Sequence, residues 1–213
     1  MNRFFSKPYY DKWVEEAPSE IQNWFKKENE FLKKTVKKNS VVLDVGCGFG
    51  RHIKILSKFC KKVIGIDNNK AMVTKARKNL AELTNIEIYS EDAQKLHFKN
   101  EFFDYAICMT NTFGTFLNKK LKILREIKRV LKKNGKIIVS VYSEKATDAR
   151  IKGYKKVGLH IEKIENGRVY FKEKHITEQF SKEQLNKIFN SIQLNIRIME
   201  LTSISYMCTA TKS

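Results

Sequence analysis

Residues 42–52, VLDVGCGFGRH, run a short apolar segment straight into Gly46, Cys47, Gly48, Phe49 and Gly50. Glycines at a strand-to-helix junction permit positive φ and let a ligand approach the main chain, and the helix that follows offers free N–H groups. Asp67 ends the next apolar run, KVIGID, about 20 residues on, where an acid binds a ribose hydroxyl pair. A dinucleotide fingerprint, G-x-G-x-x-G, seats a pyrophosphate over its third glycine. Here that glycine falls one residue early, at Gly50, and Arg51 holds the expected place. Asp44, two residues before Gly46, would also set a carboxylate beside two phosphate charges, unfavourable by ~1–4 kcal/mol per close like-charge pair. A nicotinamide or flavin cofactor is therefore disfavoured.

The hydrophobic period shows which elements carry these residues. Short apolar runs at 41–45, 62–66, 86–90, 103–109 and 136–142 have the character of buried parallel strands. Between them, helical periodicity covers 50–59, 69–83 and 117–133, while 91–101 shows no sustained period and reads as loop. The alternation implies an α/β doubly wound sheet with helices on both faces. Ahead of it, Ser19 and Gln22 have capping-box spacing, and Ile21, Trp24, Phe25, Phe31, Leu32 and Val36 give an N-terminal helix one apolar face to about Lys38. Beyond Tyr142 the pattern changes. Asn166-Gly167 between Leu159–Ile164 and Val169–Ile176 predicts a β-hairpin inserted after the fifth strand. A helix over 181–191, capped by Ser181 with Gln184, precedes two antiparallel strands at 193–201 and 204–211. The expected organisation is one domain over 1–213, with an N-terminal lid and helix (1–38), a cofactor-binding core (39–142), a substrate-side insertion (143–180) and a C-terminal helix with a strand pair (181–213).

The 213 residues are 42% hydrophobic, enough for one core and too few for a second full domain, and their 11% aromatic content excludes a disordered chain. Cys47, Cys60, Cys108 and Cys208 lack a CxxC pair or His partners at ligand spacing, so no metal site or disulfide framework is expected. Neither a signal peptide nor a membrane span is evident, and the expected location is the cytoplasm. A net charge of +19 attracts polyanions, although Arg supplies only eight of the 42 basic residues. Residues 119–136 hold nine Lys/Arg against one Glu on what reads as a solvated helix face. The cluster Arg150, Lys152, Lys155 and Lys156 is better placed to meet an anionic acceptor.

As a set, residues 42–50, GIDNNKAMVTKARKNL, Glu91-Asp92-Ala93, FFDYAICM and REIKRVLKKNGKIIVSVYSE resemble the class I S-adenosylmethionine-dependent methyltransferases over about 36–142. The resemblance implies a Rossmann-like sheet of seven strands with the last antiparallel, and S-adenosyl-L-methionine as cofactor. By the same resemblance Asp44, Gly46, Cys47 and Gly48 surround the methionine end, with Gly50 completing the motif. Asp67 takes the ribose hydroxyls, Asn68, Asp92 and Ala93 meet the adenine, and Met109 and Thr110 line the methionine moiety. Carboxylates suit a sulfonium cation that also bears an ammonium group.

The acceptor is less sharply marked. Asn111-Thr112-Phe113-Gly114 stands where base-amine methyltransferases carry Asn/Asp-Pro-Pro-aromatic, and no Pro-Cys dipeptide supports cytosine C5 chemistry. MTNTFGTF instead resembles small-molecule methyltransferases, implying transfer to N or O of a small molecule. An RNA (tRNA) methyltransferase and a catalytically silent cofactor- or RNA-binding module are the alternatives. Tyr10, Asn111, Tyr142 and His175 are candidate catalytic residues. Arg150, Tyr154, His160, Arg168 and Tyr170 are further candidate acceptor contacts, and Phe4, Phe5, Tyr9, Tyr10 and Trp13 are expected to form a lid.

Overall fold

The computed structural model describes residues 13–213. Helix α1, described over 13–16, leads into α2 (Ser19–Thr35). Then follow β1 (Val41–Val45), α3 (Arg51–Leu56), β2 (Lys62–Asp67), α4 (Lys70–Asn79), β3 (Ile86–Ser90) and β4 (Phe103–Cys108). After two 3-10 turns come α5 (Lys120–Val130) and β5 (Leu131–Tyr142). The insertion holds α6 (Thr147–Lys156), β6 (Ile161–Glu165), β7 (Arg168–Phe171) and β8 (Ile176–Glu178), and α7 (Lys182–Asn190), β9 (Ile196–Thr202) and β10 (Ser205–Thr211) close the chain.

Seven strands form one sheet in the order β3-β2-β1-β4-β5-β10-β9. β1 to β5 are parallel neighbours, and β10 is antiparallel to both β5 and β9. Strand alternation divides the core. Leu43, Val45, Ile64, Ile66, Ala106 and Val139 face α5 and α7, while Val42, Val63, Tyr105, Ile107 and Ile138 face α2, α3 and α4. The strand order reverses between β1 and β4, and a crevice opens there at the carboxyl ends, where ligands bind in such sheets. A third cluster joins Trp13, Ile21, Trp24 and Phe25 to Tyr142, Tyr154, Val169 and Phe171, so the N-terminal segment and the insertion share one core above that crevice.

Several expected elements differ in detail. The capping box at Ser19 does not form: Pro18 is the N-cap residue, the Ser19 hydroxyl turns to Glu20, and Gln22 Nε2 reaches back to the carbonyl of Val14 at 2.8 Å. α2 stops at Thr35 because Val36 is already extended. α5 likewise ends at Val130, since Lys132 pairs with Asp104 at 2.8 Å and Asn134 turns left-handed at φ 63, tying this stretch to the sheet as the start of β5. Asn166 and Gly167 make the predicted hairpin turn at φ 49 and 75. The second hairpin run breaks at a turn holding Lys174 at φ 57, so the hairpin becomes the three-stranded sheet β6-β7-β8. α6 was not legible because its inward face is only Ala149, Arg150, Gly153 and Tyr154. The Ser181–Gln184 capping box is present in both directions.

Candidate active site

The walls of the crevice start from the β1–α3 turn. Gly46, Gly48 and Gly50 have φ of 72, 55 and 90. The amides of Gly46 and Cys47 both donate to the Ile66 carbonyl, at 2.8 and 3.0 Å, which locks the turn against β2. A Cβ on Gly46 would fall inside the methyl of Thr112, and one on Gly50 would fall inside the Leu80 side chain. At the end of β2, Asp67 accepts from the Gly48 amide at 2.9 Å and from the Asn69 amide at 2.8 Å, one bond to each carboxylate oxygen. That fixes the carboxylate and leaves a lone pair on each oxygen for two adjacent hydroxyls. Burial raises its pKa, with the two amide bonds opposing. Asp92, exposed beyond β3, is held low chiefly by the Gln94 amide at 2.9 Å.

A cavity of about 290 Å³ runs from these residues to the insertion. Of the expected cofactor residues, Gly46, Gly48, Asp67, Asn68, Asp92, Ala93 and Thr110 line it. Asp44, Cys47 and Met109 lie behind that wall, around a small side pocket that shares Gly46, Thr110 and Thr112 with the main cavity. Gly50 lines neither, since it packs against Leu80 and Ala76 of the helical layer. At the other end, Trp13, Asn111, Tyr142, Tyr154, His175 and Thr177 form the walls.

The candidate acceptor residues divide sharply. Tyr142 and His175 line the cavity. Burial pushes the Tyr142 hydroxyl well up and holds His175 down at about 4, so both are neutral at pH 7. The Asn111 amide is consumed by the scaffold: Nδ2 donates to Thr177 Oγ1 at 2.8 Å and to the Glu178 carbonyl at 3.0 Å, and Oδ1 accepts from the Tyr142 amide at 3.1 Å. His160, Arg168 and Tyr170 face away, paired with Glu173 at 2.8 Å, with Glu178 at 2.5 Å and with the Lys163 ammonium at 4.6 Å. The basic cluster does not meet the cavity either, because Arg150 is fully buried and Lys152, Lys155 and Lys156 point to solvent. Tyr10 and the other leader aromatics lie outside the described residues, except Trp13, which stacks on Tyr154 at 5.0 Å.

One polar centre went unread in the sequence. Glu28 of α2 is completely buried and accepts from the Thr110 amide at 2.7 Å, Thr110 Oγ1 at 2.8 Å, Arg51 Nη2 at 2.9 Å and the Ser140 hydroxyl. Burial pushes its carboxyl up, but the neighbouring His52 imidazole, the Arg51 charge and the Ser140 hydroxyl outweigh that and leave it at about 2. A charge at position 28 inside the stripe Ile21, Trp24, Phe25, Leu32 was the available signal. Asp44 shows the reverse behaviour. Burial raises it to about 7, with Asp67 and Glu28 adding to the rise against Arg51, and its buried Oδ2 finds no donor among the described residues.

Residues 42–135 match the family model described as a methyltransferase domain. This stretch is a methyltransferase domain, set in the class I Rossmann-like fold. Solved structures agree on the fold: a SAM-dependent methyltransferase from Aquifex aeolicus aligns with a TM-score of 0.70 at 20% identity over 95% of this chain and 98% of its own. A protein of Pyrococcus horikoshii aligns at 0.76 and 24% over 97% and 99%. Among curated sequences, an uncharacterised protein of Methanocaldococcus jannaschii is 36% identical over 63% of this chain and 51% of its own length. A demethylmenaquinone methyltransferase of Staphylococcus saprophyticus is 29% identical over 78% and 76%. The chain spans 51% to 61% of the length of the first three curated relatives it matches. The matched segment holds the methyltransferase domain's whole glycine turn and Asp67, while Glu28, Tyr142 and the insertion lie outside it. No described helix is long and apolar enough to cross a membrane.

Proposed function

We propose that the protein binds S-adenosyl-L-methionine in the crevice and transfers its methyl group to N or O of a small-molecule acceptor. The observation that carries the reading is the pairing of the left-handed Gly46–Gly48 turn with Asp67, whose carboxylate is anchored by two amides and presents its free lone pairs to the cavity. A second acid stands near the same end: Asp44, on the side pocket that shares Gly46 and Thr110 with the cavity, has a buried Oδ2 with no donor among the described residues. When bound, S-adenosylmethionine supplies a methyl group activated by a sulfonium, so the protein's task is to align the acceptor and exclude water.

Asp67 would take the ribose hydroxyls, with Asn68, Asp92 and Ala93 at the base end and Gly46, Thr110 and Asp44 at the methionine end. Thr110 and Asn111 occupy successive left-handed positions, φ 50 and 59, at the junction of the donor and acceptor ends. Glu28 secures the first and the Asn111 amide ties the second to the insertion. Trp13, Tyr142, Tyr154 and His175 enclose the acceptor end and shield it from water. A 29%-identical relative named for a small-molecule methylation supports a metabolite over RNA.

Calorimetry with S-adenosylhomocysteine should show binding that Asp67→Ala weakens at least tenfold, ~1.4 kcal/mol. No binding by the wild type would overturn the reading. Labelled methyl transferred into a size-fractionated host extract should appear in metabolites, and label in RNA or protein would refute the small-molecule acceptor.

A further inference from the structure

Arg150 is a buried cation with no carboxylate partner among the described residues. It is fully buried, yet every hydrogen-bond partner is neutral: Gln179 Oε1 at 2.7 Å, the Thr177 carbonyl at 2.9 Å, the Gly167 carbonyl at 3.4 Å and the Tyr154 hydroxyl at 3.4 Å. Among the described residues no carboxylate pairs with it. A guanidinium does not lose its proton in a protein, so the positive charge persists in the interior. Its remaining support is aromatic. The guanidinium carbon lies 5.0 Å from the ring centre of Tyr142 and 5.8 Å from that of Tyr154. Both tyrosines line the acceptor end of the cavity.

Charges on the elements packed around this wall do not cancel Arg150. Glu28, beyond Tyr142, is committed to Arg51. Glu178 of β8 is bracketed by Lys120 and Arg168. His175 is uncharged, and the exposed Glu144 takes the Tyr206 hydroxyl at 2.9 Å. Asp148 of α6 points to solvent. Asp67, Glu91 and Asp92 sit at the other end, with the cofactor of the proposed reading.

We infer that Arg150 is a specificity-determining residue that biases the acceptor end toward a planar, negatively charged acceptor, an ionised phenol or enol, through the tyrosine rings it supports. Trp13, Tyr142 and Tyr154 line this end, and because Trp13 stacks on Tyr154 and aromatic faces repel negative charge, a conjugated anion would meet ring edges within reach of the guanidinium's field. An ionised oxygen is also already a nucleophile, consistent with a chamber whose one imidazole is buried and neutral. For an acceptor beside these rings, ~9 Å from the guanidinium, and an effective dielectric of ~20, the attraction amounts to about a twentyfold preference for the anion over a neutral isostere. The inference rests on the proposed cofactor reading, because it takes this end of the cavity to be the acceptor site.

The test uses wild-type protein saturated with S-adenosylhomocysteine and two probes, 4-nitrophenol and its neutral methyl ether, 4-nitroanisole. Binding of each is measured by calorimetry, and the ionisation of bound nitrophenol is followed by its visible absorbance against pH. The phenolate should bind about twentyfold more tightly than the ether, bound nitrophenol should ionise about one pH unit lower than free, and Arg150→Met should abolish both effects while S-adenosylhomocysteine still binds. Equal binding of the two probes, no binding of the phenolate, or a preference that survives Arg150→Met would each overturn the inference. If Arg150→Met does not fold, the wild-type comparison decides alone. Failure to bind S-adenosylhomocysteine would sink the cofactor reading, whereas its binding without a phenolate preference would sink only the role of Arg150.

Discussion

Replacing Glu28 by glutamine tests how the N-terminal helix is joined to the floor of the site. The substitution keeps the shape and an acceptor for the Thr110 amide, but it removes the charge facing Arg51 at 2.9 Å and puts donor against donor. Breaking a buried ion pair costs about 3–5 kcal/mol, and the lower end applies because Arg51 keeps some solvent contact and the face of Phe25 at 4.5 Å. The depressed carboxyl gives a second figure for the same network. From the ordinary 4.5 down to about 2, at about 1.4 kcal/mol per pH unit, the carboxylate stores about 3 kcal/mol. The carboxyl is depressed in the folded chain, so this stabilisation is complete above pH 4.5 and is lost as pH falls toward 2. Roughly 2 kcal/mol of it should be gone by pH 3. In urea unfolding at pH 7, with a slope of about 2 kcal/mol/M, Glu28→Gln should lower the midpoint by about 1.5 M, and at pH 3 the gap should shrink by more than half. A gap that is absent at pH 7, or equally wide at pH 3, would refute the argument that an ionised Glu28 anchors this network.

The Asp44 carboxyl, raised to about 7 mainly by burial, should destabilise the fold as it ionises, so stability falls as pH rises from 3.8 through 7. Asp44→Asn removes that dependence and should be more stable than wild type at pH 8 by about 2–4 kcal/mol, while binding S-adenosylhomocysteine more weakly; superimposable stability–pH curves would count against it. Asn111→Gly keeps access to the left-handed turn but deletes three buried hydrogen bonds. It should cost about 3 kcal/mol, or about 6–12 °C by scanning calorimetry, and Asn111→Ala should melt lower still by about a further 1 kcal/mol. Wild-type melting of Asn111→Gly would show that the amide is idle.

The parallel strands were legible because strands buried on both faces must be nearly continuous apolar runs, as in VVLDV and KVIGI. Asp67 was legible because its partners are local: the glycine turn fixes the site and strand length fixes the acid's distance from it. Glu28 was not, because what makes it informative is Ser140, 112 positions away, and Thr110, 82 positions away, which no periodicity reports. Arg150 was read for its charge, as a direct acceptor contact in a basic cluster with Lys152, Lys155 and Lys156, whereas its side chain is buried behind the cavity wall. It is buried where α6 packs against Tyr142 and the segment Thr177–Gln179, contacts that no local pattern reports. The insertion was half legible for a similar reason. Asn-Gly marks its first turn, while α6 has no apolar stripe of its own and packs closely on the Trp13 ring at Gly153, where a Cβ would not fit.

The two left-handed residues after β4 bear on how such chains can be recombined. Thr110 answers to Glu28, 82 residues upstream, and Asn111 to Thr177 and Glu178, 66 and 67 residues downstream. A chimera that took its acceptor-side segment from one ancestor and its nucleotide-side core from another would have to inherit both long-range contacts together. Recombination in this lineage should therefore leave the leading helix and the segment after β5 co-inherited, travelling as a linked pair although they are far apart in the chain.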